Sequence, residues 1–304
     1  MPTHRYLHYD VFTDRPLEGN QLAVFPDGRG LPTEAMQAIA REMNFSETTF
    51  VLPAERPDTD VRMRIFTPGA EMPMAGHPTI GSTFALAHEG VIGPNRRTFV
   101  FGLGVGPVEV ELEWEQAGLA FAWMTQLRPT FGPTCSNAAG LAAPLGLEAA
   151  DLPFGRAAAQ QVSCGVPFLI VPVASRHAVD AIVVDLRSLR ALLVREGLDP
   201  DLPVFVFSLE PGADGAAAYS RMFAPGLGVQ EDPATGSASG PLGAYLVRHH
   251  LVAAADAQRI VSAQGVRMGR PSRITIAIDG DAENITRVRI GGTAVLIGEG
   301  QLRL

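Results

Sequence analysis

Hydrophobic and charged residues alternate in two segments of the chain, and this alternation predicts strands with one buried and one solvated face. The segments are Val61–Ile65 and Val108–Trp114. Alternation of this kind is typical of antiparallel sheets, because the strands of a parallel sheet are usually apolar on both faces. The same reading places strands near the C-terminus. They are Arg273–Ile278, Val288–Ile290 and Ala294–Ile297, with hairpin turns expected at Asp279-Gly280 and Gly291-Gly292.

Helical periodicity is clearest between residues 33 and 43. Thr33 can cap a helix whose apolar stripe is formed by Met36, Ile39, Ala40 and Met43. A surface helix is expected over residues 186–196, ending at the following glycine.

Two further helices are expected to start near Gly81-Ser82 and near Gly236-Ser237 and to end near residues 90 and 249. Both are more apolar around their circumference than the first helix. We therefore expect them to be buried inside their sheets.

Two stretches about half the chain length apart are copies of one motif. They are Phe66-Thr67-Pro68-Gly69 with Gly76-His77-Pro78-Thr79-Ile80-Gly81-Ser82, and Phe223-Ala224-Pro225-Gly226 with Glu231-Asp232-Pro233-Ala234-Thr235-Gly236-Ser237. The register shift is 157 residues between Phe66 and Phe223 and 155 between His77 and Asp232. A repeat of this length predicts two related domains with a linker at residues 127–133. The N–H groups of two helix N-termini could then grip an anion between an acid and a base.

Composition favours a two-domain globular protein. The chain has 304 residues, of which 46% are hydrophobic and 18% charged. The net charge of −8 argues against nucleic acid as a partner. No apolar run approaches the roughly 20 residues of a membrane span, and the N-terminus shows no apolar signal region. We expect a cytoplasmic protein without membrane contact, with Cys135 and Cys164 as reduced core thiols.

The chain contains no lysine, so all 24 basic residues are arginine. Schiff-base chemistry, including pyridoxal phosphate catalysis, and a Gly-Lys-Ser/Thr phosphate loop are therefore excluded. No Gly-x-Gly-x-x-Gly opens a helix after a strand, and the seven histidines form no pattern of metal ligands. We therefore expect neither a nicotinamide-binding fold nor a catalytic metal.

Three side chains are candidates for proton transfer: Glu47, His77 and Asp232. Taken singly, each motif copy is also explained as a helix cap and tight turn, and Glu47 as an exposed loop acid. The pairing of the two motifs favours a shared site. Glu47 lies between the aromatic residues Phe45 and Phe50, and burial there would raise its pKa toward neutrality. The two cysteines lie outside both motif copies, which disfavours a two-thiol racemase.

Six groups of motifs, in this order, carry a resemblance to a known family. They are Asp10-Val11-Phe12-Thr13 with Gly19-Asn20-Gln21-Leu22-Ala23-Val24-Phe25; Ser46-Glu47-Thr48-Thr49-Phe50; Phe66-Thr67-Pro68 with Gly76-His77-Pro78-Thr79; Gly165-Val166-Pro167; Glu231-Asp232-Pro233-Ala234-Thr235-Gly236-Ser237; and Gln264-Gly265 with Gly269-Arg270-Pro271. The chain resembles the PhzF-like family, named for a phenazine-biosynthesis isomerase, within the diaminopimelate-epimerase-like fold.

The resemblance implies an α+β fold of two pseudo-symmetric domains, each a mostly antiparallel sheet curled around a central helix, with the site in the cleft between them. The domains would span residues 1–127 plus about 286–304, and residues 128–285. The resemblance also implies an isomerase without metal or cofactor, acting on a small carboxylated molecule as a homodimer.

By the same resemblance, Glu47 would take the C3 proton of a dihydro-hydroxyanthranilate and return a proton elsewhere on the ring system. His77, Asp232 and Ser237 would line the pocket and steer the amine, the hydroxyl and the proton traffic. Backbone N–H groups of the two turns would hold the carboxylate. The implied substrate-binding positions are Asn20, Gly76, Pro78, Thr79, Gly81, Thr235 and Gly236.

Two positions depart from the family pattern. Gln21 replaces the usual proline after Gly-Asn, and Ala75 stands where epimerase relatives carry a cysteine. The alanine removes the thiol route to racemisation and leaves Glu47 as the leading acid/base. Two alternatives stay open at this point: a non-catalytic carboxylate-binding protein on the same fold, and an amino-acid epimerase or racemase.

Overall fold

The computed structural model describes residues 2–155 and 157–304, except for the side chain of Leu227. Strands dominate the described chain. They are β1 (Thr3–Val11), β2 (Asn20–Phe25), β3 (Glu47–Pro53), β4 (Val61–Phe66), β5 (Glu71–Met72), β6 (Thr98–Leu103), β7 (Gly106–Glu115), β8 (Gly118–Gln126), β9 (Thr130–Cys135), β10 (Ala159–Ser163), β11 (Pro167–Pro172), β12 (Val204–Ser208), β13 (Ala218–Ala224), β14 (Val229–Asp232), β15 (Ile260–Gln264), β16 (Ser272–Gly280), β17 (Ile285–Gly292) and β18 (Ala294–Arg303). The helices are α1 (Thr33–Met43), α2 (Gly76–His88), α3 (Ala138–Leu145), α4 (Arg176–Ala181), α5 (Leu186–Arg195) and α6 (Gly236–Arg248). The expected α+β class is confirmed.

The chain divides into two compact units. The first consists of residues 1–125 and 290–304, and the second of residues 126–289. The domain boundaries predicted from the sequence were 127/128 and about 285/286.

In the first unit, β1 pairs in antiparallel fashion with β2 and β18, while β2 runs parallel to β3. Strand β4 is antiparallel to β3 and β5 and parallel to β6, after which β6, β7 and β8 form an antiparallel meander. Helix α2 contacts β1, β2, β3 and β18 and is buried along its first eleven residues. This confirms the prediction of a buried apolar helix.

In the second unit, β9, β10 and β11 pair in antiparallel fashion, and β11 runs parallel to β12. Strand β13 is antiparallel to β12 and β14 and parallel to β15, which pairs with β16. Helix α6 contacts β10, β11 and β16, and nearly all of its side chains are buried. The order of parallel and antiparallel pairs around the central helix therefore repeats that of the first unit.

The structure corrects the register of the repeat at the helices. Thr79 Oγ1 donates to the carbonyl of Ala75 (2.8 Å), and Ser239 Oγ donates to the carbonyl of Thr235 (2.9 Å). In each helix this hydroxyl lies in the fourth residue and the carbonyl belongs to the residue before the helix. The helices therefore align with a shift of 160 residues, so the counterpart of His77 is Ser237. The predicted pairing of His77 with Asp232 was wrong, because the segment from Phe223 to the start of α6 is three residues longer than the segment from Phe66 to the start of α2.

Helix α2 starts at Gly76, five residues earlier than predicted. Pro78 suggested a turn, but as the third residue of a helix it is tolerated, because an N–H in the first turn has no intrahelical partner. The start of α6 at Gly236 agrees with the prediction.

Three smaller predictions also differ from the structure. The cap residue of α1 is Pro32, and Thr33 is its first helical residue. Part of the segment predicted as a linker is strand β9, which pairs with β10. Only Thr293 separates β17 from β18, and β18 runs along β1, so the hairpin expected at Gly291-Gly292 does not join them.

Candidate active site

The first group of predicted site residues lies where β2, β3 and α2 begin. Asn20 is the first residue of β2, Glu47 the first of β3 and His77 the second of α2. Because β2 and β3 are parallel, with Leu22 opposite Glu47, their starting ends lie side by side. The fold therefore gathers three polar side chains that are far apart in the sequence.

The position of Glu47 is fixed by the short connection from α1. Helix α1 ends at Met43, and the cap residue Asn44, with its left-handed backbone (φ 52°), turns the chain toward β3. The ring of Phe45 then stacks on His8 of β1, with 4.7 Å between ring centroids. The Glu47 side chain is 17% exposed, so it is largely shielded but can be reached from outside.

The buried imidazole of His77 is held uncharged. Burial lowers the pKa of His77 to about 3, and a backbone hydrogen bond at Gln21 offsets part of this decrease. Nδ1 of the ring lies 3.2 Å from Nδ2 of Asn20. When the Asn20 amide donates to Nδ1, the neutral ring carries its proton on Nε2.

Nε2 of His77 faces the carboxylate of Glu47. The distance from Nε2 to Oε2 is 3.3 Å, but the two atoms are not aligned as a hydrogen bond. Nε2 makes no hydrogen bond within residues 2–155 and 157–304 and remains available to a ligand. A neutral imidazole beside a carboxylate can donate a hydrogen bond without removing the negative charge that a base requires.

The alternate residues of β3 face α2. Thr49 lies two residues after Glu47, and its Oγ1 is 2.9 Å from Oγ of Ser82. Gly81 is packed so closely that a methyl group there would lie 2.6 Å from side-chain carbons of Leu22 and Val11. Close packing therefore explains why position 81 is a glycine. The predicted role of Gly81 in substrate binding stays a prediction.

The second group of predicted residues lies in the turn between β14 and α6. Asp232 ends β14, and Thr235 is the residue that precedes α6. Thr235 holds the position of a helix cap, but its hydroxyl donates to the carboxylate of Asp232 rather than accepting from the helix. This turn is therefore not an ordinary helix cap, because the hydroxyl at the cap position donates its hydrogen bond to the buried carboxylate of Asp232.

Gln264, at the end of β15, belongs to the Gln264-Gly265 motif, but the sequence predicted no role for it. It is fully buried. Its Nε2 donates to the carbonyl of Asp232 (2.7 Å) and to Oγ1 of Thr235 (3.0 Å), and its Oε1 accepts from the N–H of Thr235 (3.0 Å). The only signal in the sequence was its place in the motif with Gly265.

The start of α6 is fixed from another side by Gln126. Its buried amide donates to the carbonyl of Gly236 (2.9 Å). Ser237, the second residue of the helix, is half-buried. The first N–H groups of a helix have no intrahelical partners, so this end of α6 can accept a carboxylate.

The remaining reactive groups do not join these clusters. Cys135 and Cys164 are free and buried, as predicted, and burial raises both thiol pKa values, that of Cys164 to about 12. Ala75 brings only a methyl group to the residue before α2. Within the described residues, no three His, Cys, Asp or Glu side chains are grouped as metal ligands. None of the described helices is both long enough and apolar enough to cross a membrane.

Comparison with solved structures first identifies the class of protein, which is that of the PhzF-family phenazine biosynthesis proteins. A phenazine biosynthesis protein of the PhzF family from Bacillus anthracis superposes with a TM-score of 0.88 at 30% identity, covering 100% of both chains. A hydroxyproline epimerase from Agrobacterium vitis shares the fold alone, with a TM-score of 0.66 at 13% identity, over 99% of this chain and 92% of the other.

Sequence comparison then defines the family. The family model PhzC-PhzF, described as phenazine biosynthesis-like protein, matches residues 9–300. An uncharacterized isomerase of Mesorhizobium japonicum is 39% identical over 99% of both chains. The trans-2,3-dihydro-3-hydroxyanthranilate isomerase of Pseudomonas aeruginosa is 38% identical over 99% of this chain and 100% of its own length. The chain belongs to the PhzC-PhzF family and is an isomerase, which confirms the resemblance seen in the sequence.

Proposed function

We propose that this isomerase moves a proton on a small carboxylated substrate of the trans-2,3-dihydro-3-hydroxyanthranilate type, with Glu47 as acid and base and without a cofactor. The observation that carries the proposal is the placement of Glu47, a mostly shielded carboxylate 3.3 Å from the neutral imidazole of His77. The named relative from Pseudomonas aeruginosa supports the choice of substrate.

The reaction needs one group that first removes and then returns a proton. As carboxylate, Glu47 takes the proton from C3, and as carboxylic acid it gives a proton to another carbon of the ring system, so that the substrate is rearranged without net loss of atoms. His77 stays uncharged, and its Nε2, which faces Glu47, orients the substrate or the Glu47 carboxyl group through a hydrogen bond. Asn20 holds the imidazole ring through its other nitrogen.

The other proposed residues bind the substrate. Backbone N–H groups at the N-terminus of a central helix favour binding of the substrate carboxylate, because the positive end of a helix dipole attracts anions. Asp232 and Ser237 are proposed to receive the polar substituents, the amine and the hydroxyl. The full set of proposed binding positions is Asn20, Gly76, Pro78, Thr79, Gly81, Thr235 and Gly236.

The proposal extends to location and assembly. Two buried free thiols are typical of proteins in a reducing compartment, which supports a cytoplasmic location. The family resemblance supports a homodimer.

The first experiment follows the substrate signals by proton NMR in D₂O, with trans-2,3-dihydro-3-hydroxyanthranilate as the probe. The wild-type protein should consume the substrate and place deuterium in the product. Glu47→Gln should lower turnover by roughly 10²- to 10⁴-fold, the usual contribution of a general acid/base. Glu42→Gln, an exposed residue of α1, is the matched control and should behave as wild type.

Each other outcome points to a definite alternative. Unchanged turnover in Glu47→Gln would show that another group transfers the proton. Binding of the probe to the wild type without deuterium exchange would favour a carboxylate-binding protein. Racemisation in a chiral assay across amino acids, with no isomerisation of the probe, would favour an epimerase.

A further inference from the structure

The same proline turn precedes the central helix in both units. Pro73 follows β5 and Pro233 follows β14. In each unit, a glycine just after the neighbouring strand lies against this proline. A methyl group on Gly104 would be 2.8 Å from Cα of Pro73, and one on Gly265 would be 2.5 Å from the carbonyl oxygen of Pro233. The backbone scaffold of the turn is therefore repeated.

Strand pairing fixes which side chains correspond in the two turns. Met72 lies opposite Ile65, and Asp232 lies opposite Met222, the residue 157 positions after Ile65. The alignment of the helices makes Ala75 the counterpart of Thr235.

The neighbouring strands give the third pair. Phe101 of β6 lies opposite Val61, and Ser262 of β15 lies opposite Ala218, the residue 157 positions after Val61. Two residues farther along these strands, Leu103 corresponds to Gln264.

All three correspondences replace an apolar residue by a polar one. The first unit has Met72, Ala75 and Leu103, and the second has Asp232, Thr235 and Gln264. In the first unit, Met72 and Leu103 line the same cavity. In the second unit, their counterparts Asp232 and Gln264 are also neighbours and form a hydrogen bond.

The apolar version shows that the fold forms this turn without a polar network. Burying an amide, a hydroxyl and a carboxylate carries a desolvation cost, which only a complete set of hydrogen bonds offsets. In the second unit the set around Gln264 uses both ends of its amide. A network that folding does not require, placed around an acid of the proposed site, indicates a role in function.

We propose that Gln264 is a positioning residue, which holds the Thr235 hydroxyl on the carboxylate of Asp232 and thereby keeps that carboxylate in one orientation toward the substrate. The inference rests on the proposed function, because it assumes that Asp232 binds substrate. Gln264 itself acts through its neighbours: its amide fixes the carbonyl of Asp232 and both polar groups of Thr235.

The test compares kcat and KM of wild type, Gln264→Leu and Gln264→Glu with trans-2,3-dihydro-3-hydroxyanthranilate. Gln264→Leu introduces the side chain found at the corresponding position of the first unit. It should remain folded and lose roughly 10²-fold in turnover, the order of effect expected from a misplaced group. Ser262→Ala, on the same strand as Gln264, is the matched control. It removes a buried hydrogen bond to Ser220 of β13 (2.9 Å) but leaves the turn untouched, so turnover should not change.

Gln264→Glu separates positioning from simple loss of packing. A protonated glutamic acid can donate to the carbonyl of Asp232, whereas a carboxylate cannot. Its turnover relative to wild type should therefore rise as the pH falls, at temperatures where both proteins are folded. A ratio that does not change with pH, or a Gln264→Leu variant with wild-type kcat and KM, would overturn the inference while leaving the proposed function intact.

A crystal structure of Gln264→Leu provides a readout that is independent of activity. If the wild type does not turn over the probe, the proposed substrate is wrong, and the inference is judged on this structure alone. A Thr235 side chain rotated away from Asp232 would support the role of Gln264. A Thr235 hydroxyl still bound to Asp232 would refute it.

Discussion

At the scale of single residues, His77 shows how burial changes the chemistry of a side chain. An exposed imidazole has a pKa near 6.5, but residue His77 is only 4% exposed and its pKa falls to about 3. It is therefore a neutral hydrogen-bonding group at physiological pH. Glu47, whose carboxylate oxygen lies 3.3 Å from Nε2 of His77, is the group proposed to take and return the proton.

The depressed pKa of His77 predicts a loss of stability in acid. Below pH 6.5 the unfolded chain binds a proton at His77, whereas the folded chain does not until about pH 3. The free energy of unfolding should thus fall, as the pH decreases between these values, by up to about 1.4 kcal/mol per pH unit from this residue. Urea unfolding of wild type and His77→Asn at pH 6.5, 5.5 and 4.5 measures this change. The free energy of unfolding of the variant should depend less steeply on pH than that of the wild type.

The control for this titration is His88→Asn, at the exposed end of the same helix. It should keep the pH dependence of the wild type. Equal slopes for His77→Asn and wild type would mean that His77 does not stay neutral on folding.

At the scale of elements, the packing around α2 should reverse the usual effect of replacing a helical glycine by alanine. Replacing a glycine by alanine in an exposed helix normally stabilises it by about 1 kcal/mol. At Gly81 the new methyl group would instead meet Leu22 and Val11 at 2.6 Å, across the contact between α2 and its sheet. Packing should therefore outweigh propensity.

We expect Gly81→Ala to lower the free energy of unfolding by about 1–3 kcal/mol, the usual cost of overpacking. Thermal unfolding followed by circular dichroism would measure this change. Gly93→Ala is the control, because no heavy atom lies within 4 Å of the added carbon, and it should change stability by less than about 0.5 kcal/mol. A stabilised Gly81→Ala would contradict the packing argument.

At the scale of the whole molecule, two units repeat one order of strands around one buried helix. We propose that these units are the two domains expected from the sequence and that they arose from a duplicated ancestor. The shared placement of the hydroxyl in the first turn of each helix supports this proposal. The polar residues then distinguish the two copies, since Glu47 and His77 lie in one and Asp232 and Gln264 in the other.

The family resemblance predicts a homodimer. Size-exclusion chromatography with light scattering should give twice the 32.3 kDa of one chain. A mass of one chain over the whole range of micromolar concentrations would refute this assembly.

The sequence by itself determined the class of fold, the buried central helices, the candidate residues and the family. These features depend on local patterns: alternation in Val61–Ile65, apolar character around residues 236–248, and motifs such as Ser46-Glu47-Thr48. A pattern of this kind is visible wherever the residues that cause a structure are neighbours in the chain.

Only the tertiary structure decided the register of the repeat, the lowered pKa of His77 and the hydrogen bonds of Gln264. Gln264 lies 32 residues from Asp232, and Asn20 lies 57 residues from His77. Contacts over such distances are set by how strands pair and how a helix packs among them. The environment that lowers the pKa of His77, and the hydrogen bonds that hold Thr235 on Asp232, exist only once that packing has formed.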